Sequence, residues 1–331
     1  YHVLPWLSVR YNSSNSIELT NTGVKLMPRP DANRNFIGSR VGDNPQGVGE
    51  DYGFDLNLLD GKIFVRATKF STTREGAQQF QAPNLPVGLS NRVLDALQAQ
   101  GVITAAERAL HKLDAGGVET DTASTGYEYS VTANVTKNWR LQANYSTTDS
   151  VTANYGPEID AWAAVEIPYL QKFNQNLIAT GGLTLAQEIA NWKASDVIAK
   201  SVNGQATIGN RREKVSVVTR YSLSEGFLRG LSAGITARHQ SKNVIGIKTT
   251  GEWVHGNSFT RADVFLGYRL GRNSRLKFLK NSSLQLNVYN VLDQHDPLIM
   301  NVANVNATPI EINRLRPQEP RYWRLSADFS F

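Results

Sequence analysis

The 331-residue sequence contains no cysteine and no run of about 18 apolar residues, so it has neither thiolate metal ligands nor a membrane-spanning helix. The lack of cysteine also suits a protein that crosses an oxidising compartment. A basic block is missing too, because the net charge of +6 comes from dispersed lysines and arginines. Binding to nucleic acid therefore has little support.

Groups for catalysis or metal binding are equally sparse. The five histidines are scattered with no metal-ligand spacing among them. Glu158 and Asp160 lie two positions apart, which is too common a pairing to indicate an acid/base dyad. Neither a nucleophile elbow nor a Gly-rich phosphate loop occurs between a strand and a helix. We therefore expect a protein that is not an enzyme, with no catalytic residue, no metal site and no cofactor.

What the sequence does have is an alternation of apolar and polar residues, which is clearest in its last eleven residues, RYWRLSADFSF. In an extended strand Trp323, Leu325, Phe329 and Phe331 lie on one face, while polar residues occupy the other. A final strand of this kind, with an aromatic residue at its end, resembles the assembly signal of bacterial outer-membrane β-barrels. We therefore predict that these four residues form a barrel assembly signal.

The same period of two recurs along the chain. In the segment 261–270, Val264 and Leu266 alternate with Asp263. Together with the last strand, the recurrences predict about ten strands. The other predicted strands cover residues 7–11, 52–58, 63–72, 127–136, 139–147, 215–223, 231–240, 261–270 and 283–293.

The predicted connections differ in length from one rim to the other. Those on one rim are turns at 59–62, 137–138, 224–230 and 271–282. Those on the other rim are mostly far longer, at 12–51, 73–122, 148–210, 245–258 and 294–320. Periodicity alone also fits a soluble β-sandwich, but the loop asymmetry and the aromatic end favour an all-β, transmembrane, antiparallel up-and-down barrel with long extracellular loops.

Two of the long loops contain short helical patterns. One loop has an apolar pattern at 90–100 followed by a capping-box pattern from Thr104 to Glu107. The other has a helix start at Pro157 and a second one at Thr184. Either these helices only cap the outer mouth, which we favour, or they contact a ligand directly.

Aromatic and cationic side chains in the long loops are the candidates for ligand binding. Stacking and charge are the interactions that such side chains offer to a small ligand. The candidate ligand-binding residues are Trp162, Trp253, His255, Arg314 and Arg316.

Several segments resemble the closing part of TonB-dependent outer-membrane receptors. They are GLSAGITARHQ (230–240), FTRADVFLGYRL (259–270), SLQLNVYNVLDQ (283–294) and the aromatic end. The most specific is NVYNVLD (287–293), which resembles the penultimate strand of that family. The spacing resembles the ferric-siderophore branch, and the match is good from about residue 209 onward.

The resemblance implies a receptor in the outer membrane of a Gram-negative bacterium that imports a scarce ligand, such as a ferric siderophore. It also implies as partners the lipid bilayer, the barrel assembly machinery and the TonB–ExbB–ExbD complex, which acts through a plug. Because such barrels have about 22 strands, residues 1–331 are expected to be the C-terminal part of a longer receptor, without the plug and the earlier strands. Any signal peptide is expected to have been removed or to lie upstream of Tyr1. The alternative is a passive pore or an adhesin barrel without a plug.

Overall fold

The computed structural model describes residues 1–23, 25–31, 33, 40–79, 86–113, 116–248, 250–270 and 282–329. In chain order the strands are β1 His2–Leu4, β2 Leu7–Ile17, β3 Lys25–Leu26, β4 Arg40–Val41, β5 Gln46–Leu58, β6 Ile63–Gln79, β7 Val118–Asn134, β8 Trp139–Ala153, β9 Glu213–Ser222, β10 Leu231–Gln240, β11 Val244–Ile247, β12 Trp253–His255, β13 Phe259–Arg269, β14 Ser283–Tyr289, β15 Leu298–Asn304, β16 Glu311–Arg316 and β17 Tyr322–Asp328. The helices are α1 Val87–Ala99, α2 Ala105–His111, α3 Pro157–Leu170 and α4 Leu185–Lys200.

One antiparallel sheet forms the body of the molecule. Its eleven strands follow the order β1-β2-β5-β6-β7-β8-β9-β10-β13-β14-β17, so each sheet strand pairs with the next sheet strand along the chain. The up-and-down barrel topology predicted from the sequence is confirmed. The predicted strands all occur in this sheet, and β1 is its one additional strand. The sheet is open, with β1 and β17 at its edges.

The register of the sheet collects the apolar residues on one face. Leu286 of β14 pairs with Leu266 of β13 and with Leu325 of β17, and Leu266 also pairs with Ala233 of β10. Because side chains alternate along a strand, the polar residues between them share the opposite face. Leu266 and Leu284 remain 50% exposed. Large apolar side chains exposed in rows are what a lipid-facing barrel wall requires.

Five strands extend several residues beyond the ends that the sequence pattern predicts. β2 has 11 residues, β5 has 13, β6 and β7 have 17 each and β8 has 15, whereas about 9–11 residues cross a bilayer. The predicted ends at residues 11, 52, 72, 127 and 147 are therefore corrected outward. The added residues are mostly polar on both faces, which hides the alternation and fits strand ends that rise into water above the membrane.

The connections keep the predicted asymmetry. Sheet strands are joined on one rim by residues 5–6, 59–62, 135–138 and 223–230, and on the other by residues 18–45, 80–117, 154–212, 241–258 and 290–321. The tight turn at Asp60-Gly61 is confirmed, because both residues have positive φ, at 53° and 81°. The predicted turn at 271–282 lies outside the described residues, except for Ser282.

The penultimate strand ends earlier than predicted. The pattern extended it to residue 293, but β14 ends at Tyr289, because Asn290 and Asp293 have φ of 50° and 52°. Leu292 therefore belongs to a turn and not to the lipid face. The side-chain Nδ2 of Asn290 donates to the carbonyls of Gln294 and Glu319 at 3.0 and 2.9 Å. These bonds fix the start and the return of the last outer loop.

The helices occur where the sequence predicts them, and both capping residues are confirmed. The Thr184 side chain accepts a hydrogen bond from the Gln187 amide, and the Gln187 side chain accepts one from the Thr184 amide, which completes a capping box. The Thr104 hydroxyl accepts from the Glu107 amide at 3.1 Å. No described helix is long and apolar enough to cross a membrane.

The main hydrophobic core lies in the outer loops and not in the sheet. It is formed by α1, α3, α4 and neighbouring loop residues, which we call the outer helical unit. Trp162 and Trp192 pack edge to face at its centre, with ring centroids 5.1 Å apart. The preferred sequence interpretation, in which these helices stabilise the outer mouth, agrees with this packing.

Two glycines on the polar face of the sheet provide a packing test. A Cβ at Gly234 would lie 2.3 Å from the Phe265 ring and 2.5 Å from the Thr219 carbonyl oxygen. We expect Gly234→Ala to destabilise the barrel by about 1–3 kcal/mol, because the clash involves a ring and backbone. Gly267→Ala is the matched control, since its nearest neighbour is the Ser232 hydroxyl at 3.2 Å. Urea unfolding in lipid vesicles measures both variants, and equal stabilities would contradict the clash.

Candidate ligand-binding site

The loops on the long-loop rim hold all five candidate ligand residues, but these residues differ in their exposure to solvent. Trp162 of α3 is completely buried in the outer helical unit. Its indole packs on Trp192 and cannot touch a ligand in this structure. The expectation that Trp162 contacts a ligand is therefore corrected, because the residue belongs to the packing of the helices.

The other aromatic candidates lie on the hairpin formed by β11 and β12. Trp253 is 43% exposed, and its indole nitrogen donates to the Gln205 side chain at 2.6 Å. His255 pairs across the hairpin with Val244 and is exposed. These short strands were absent from the sequence prediction, which had treated residues 245–258 as a plain loop.

The two candidate arginines lie on a second hairpin, formed by β15 and β16. Arg314 and Arg316 are two residues apart, so they share one face of β16, and both are exposed. The hairpins are in contact, because the side-chain Nδ2 of Asn243, the residue just before β11, donates to the Ile299 carbonyl of β15 at 3.0 Å. The structure thus brings four of the five candidates into two packed hairpins, which we call the hairpin pair.

Sequence reasoning missed one cation at the base of the hairpin pair. Arg211 is only 9% exposed, and its Nη1 donates to the carbonyls of Ser241 and Asn257 at 2.5 and 2.9 Å. Its buried Nη2 has no hydrogen-bond partner among the described residues. Burial, and then the nearby charge of Arg316, lower the pKa of Arg211. A lone arginine in a loop gives no sequence signal for this role.

The rim beneath the helices carries a carboxylate pair. The buried Glu158 of α3 accepts from the backbone amide of Glu119 at 3.1 Å, and Arg40 contacts both carboxyl groups. Burial raises the pKa of Glu158. A guanidinium between two carboxyl groups ties the first outer loop to α3 and to the sheet. The arrangement holds the mouth together and does not resemble a catalytic dyad open to a ligand.

A second buried carboxyl group gives the outer helical unit a pH dependence. Glu166 of α3 is fully buried and lies 2.8 Å from Nδ1 of His111 on α2. Burial raises the pKa of Glu166, against the weaker effect of His111. The folded state therefore holds this proton more tightly than the unfolded chain does. The contribution of Glu166 to the free energy of unfolding is present in mild acid and is lost as the pH rises.

We expect Glu166→Gln to flatten this dependence. In the wild type the outer helical unit should lose stability as the pH rises above the ordinary carboxyl range of about 4–5, whereas the amide does not titrate. Limited proteolysis of the loops across a pH series measures this difference. The matched control is Glu252→Gln, an exposed residue paired with Lys248 on the hairpin pair. A pH dependence that is unchanged in Glu166→Gln would contradict the assignment.

The assembly-signal residues occupy the last strand. Trp323 and Leu325 lie on the apolar face of β17 and are 73% and 67% exposed, and Phe329 follows the strand at 58%. β17 is an edge of the sheet, so one side of it has no strand partner among the described residues. Phe331 lies outside the described residues. The assembly role of these residues stays a prediction.

Among the described residues, no group of three or more His, Asp or Glu side chains could hold a metal ion. The hairpin pair instead presents exposed rings and cations, which offer stacking and charge.

Structural comparison finds this architecture in siderophore receptors. FpvA of Pseudomonas aeruginosa, bound to pyoverdine, aligns with 100% of this chain and 35% of its own, at a TM-score of 0.55 and 13% identity. The ferric-catecholate import receptor Fiu of E. coli aligns with 100% and 34%, at 0.54 and 18%. The ferric preacinetobactin receptor BauA of Acinetobacter baumannii aligns with 99% and 35%, at 0.56 and 11%. The chain has the fold of a siderophore-receptor barrel.

The receptor-barrel fold extends over the whole chain, and the chain spans about a third of the length of each of these receptors. No protein-family profile matches the sequence, and no curated protein matches it either. At identities of 11–18%, the comparison with these structures shows a shared backbone arrangement and not shared loop residues.

Proposed function

We propose that this protein is an active-transport receptor of the bacterial outer membrane that imports a ferric siderophore with energy from the TonB–ExbB–ExbD complex. The observation that carries the proposal is the alignment of the whole chain with receptors named for pyoverdine, ferric catecholates and ferric preacinetobactin. Import changes the location of the ligand and not its bonds, so it needs no catalytic group.

The hairpin pair is the proposed place of first contact with the ligand. Arg314, Arg316 and the buried Arg211 supply positive charge, and Trp253 and His255 supply exposed rings. Iron-chelating groups are oxygen-rich and often anionic or aromatic, so guanidinium and ring contacts suit them.

Residues 1–331 are proposed to be the C-terminal wall of a larger barrel. The supporting observation is the open sheet, because unpaired edges at β1 and β17 cannot lie in a bilayer. Earlier strands of the same receptor would close the wall, and a plug domain would fill it and receive the pull of TonB. The barrel assembly machinery is the proposed partner during insertion.

Uptake of radiolabelled iron by iron-starved cells tests the proposal. Cells that carry the complete receptor should accumulate a ferric siderophore, and cells in which its gene is deleted should not. A protonophore should abolish accumulation but not surface binding, because TonB draws on the proton gradient of the inner membrane.

Accumulation that survives the protonophore would overturn the active-transport proposal and favour a passive pore. Surface adhesion without any accumulation of iron would favour an adhesin.

A further inference from the structure

The hairpin of β15 and β16, which we call the last hairpin, leaves one strand edge without a partner. Its strands form a separate two-stranded sheet, so β16 pairs with β15 on one side only. All six residues of β16 are exposed. No hydrogen bond joins their main chain to any other segment that the structure describes. Alternate amide and carbonyl groups of β16 therefore point outward along an open edge.

The opposite edge of the last hairpin is occupied. Ile299 of β15 uses both of its main-chain groups, because its carbonyl accepts from the Asn243 side chain and its amide donates to the Asn257 side chain, each at 3.0 Å. Asn243 and Asn257 belong to the loop between β10 and β13. The last hairpin is thus fixed on the side of that loop, and β16 lies on its far side.

The chain places β16 near the unpaired edge of the large sheet. Only residues 317–321 lie between β16 and β17, and such a segment spans at most about 20 Å. The Arg321 amide donates to the Asp293 carboxyl group at 2.8 Å, which fixes the end of this segment. β17 is an edge strand of the sheet. The open edge of β16 therefore lies close to the open edge of β17, on its outer side.

A strand that closes the barrel on β17 has a fixed direction. β17 begins at the outer rim and runs inward, so an antiparallel neighbour runs outward and reaches the level of β16 after it has passed Tyr322. Strands of this wall do continue beyond the thickness of a bilayer, because β6 and β7 have 17 residues each. A closing strand of similar length would run antiparallel along β16.

We infer that the closing strand of the complete receptor continues above the membrane and adds to the open edge of β16 by antiparallel main-chain pairing. The partner is a segment of the same polypeptide, and its chemistry is that of an extended strand without proline at the paired positions. The inference rests on the barrel closure in the proposed function. It adds a contact outside the membrane that closure alone does not require.

This pairing leaves the side-chain faces of β16 open. Side chains of a strand project roughly perpendicular to the sheet, whereas an added strand approaches in the plane of the sheet. Arg314 and Arg316 can therefore still meet a ligand, while the added strand fixes the hairpin that carries them. The added strand positions these two candidate arginines and does not touch the ligand itself.

Photo-crosslinking in the complete receptor tests the contact. A benzophenone amino acid in place of Asn313 of β16 should cross-link to a peptide from the barrel strand that closes on β17, and mass spectrometry identifies that peptide. The matched control carries the same group in place of Asn301 of β15, which is exposed on the occupied side of the last hairpin. It should cross-link only within residues 1–331. Heat-modifiable electrophoretic mobility confirms that both variants are folded.

Hydrogen exchange of the wild-type receptor provides a second measurement that needs no substitution. The control is β12, which also has an open edge, but which lies between the paired sheet strands β10 and β13. We expect the outward amides of β16 to exchange about tenfold more slowly than those of β12, because pairing protects them. Equal exchange in the two strands would overturn the inference. A cross-link from position 313 to another protein, or only within residues 1–331, would overturn it too.

Iron uptake separates this inference from the proposed function. A cross-link to the closing strand in a receptor that accumulates no ferric chelate would retain the pairing and overturn the import function. Normal accumulation without that cross-link, and with fast exchange in β16, would retain the import function and overturn the pairing.

Discussion

Replacing Trp162 with alanine is expected to destabilise the outer helical unit by about 3–5 kcal/mol. The indole is completely buried, and it packs edge to face on Trp192 with centroids 5.1 Å apart. Removal of so large a side chain leaves a cavity between α3 and α4 that neighbouring Leu and Ile residues fill only in part. Proteolysis of the outer loops in intact membranes measures the loss, and it should appear as cleavage at much lower protease concentration.

Trp253→Ala is the matched control, because it removes the same side chain from an exposed position. It should leave protease resistance unchanged and is the variant of the two that can weaken ligand binding directly. Equal protease resistance of Trp162→Ala and the wild type would contradict the central place of Trp162 in the core. The sheet itself should persist in both variants.

Replacing Leu286 with arginine is expected to impair membrane insertion at a cost of about 2–4 kcal/mol, if the residue lies near the bilayer midplane. Leu286 lies in the middle of β14, between Leu266 and Leu325 on the apolar face. A guanidinium there would have to enter hydrocarbon or distort the bilayer around it. The yield of heat-modifiable, folded barrel in outer membranes measures the effect.

The neighbouring substitution Gln285→Arg is the control for that experiment. Gln285 lies on the polar face, between Gly267 and Ser326, where a long cation has room and water. It should assemble at nearly the wild-type yield. Similar yields for Leu286→Arg and Gln285→Arg would contradict the assignment of the two faces.

The sheet strands were predictable because an apolar face and a polar face impose a period of two on the sequence. That signal fades where both faces meet water, which is why the outer ends of β6 and β7 were missed. It also misled at the end of β14, because Leu292 continues the alternation although Asn290 has already turned the backbone. Helix starts were predictable from local capping, since Thr184 and Thr104 act within one turn.

From the sequence, the candidate site could be predicted only as aromatic and cationic residues in the long loops. Residue type and loop position selected Trp253 and Arg316, whose contact with a ligand stays a prediction, but they could not reveal that Trp162 is buried. Burial there depends on contacts between helices far apart in sequence. The burial of Arg211 depends on the carbonyls of Ser241 and Asn257, which lie 30 and 46 residues further along the chain and reach it only in the folded structure.

Cysteine scanning of β8 in the complete receptor tests most directly whether this sheet is a membrane-embedded barrel wall, and residues 1–331 contribute no native cysteine to the background. Single cysteines at Leu141, Ala143 and Tyr145 should carry fluorophores that lipid-soluble quenchers reach. Cysteines at Gln142 and Asn144 should instead react with small water-soluble thiol reagents. Alternation from one residue to the next is the expected result. Uniform accessibility to water along 141–145 would contradict the barrel and, with it, the proposed import function.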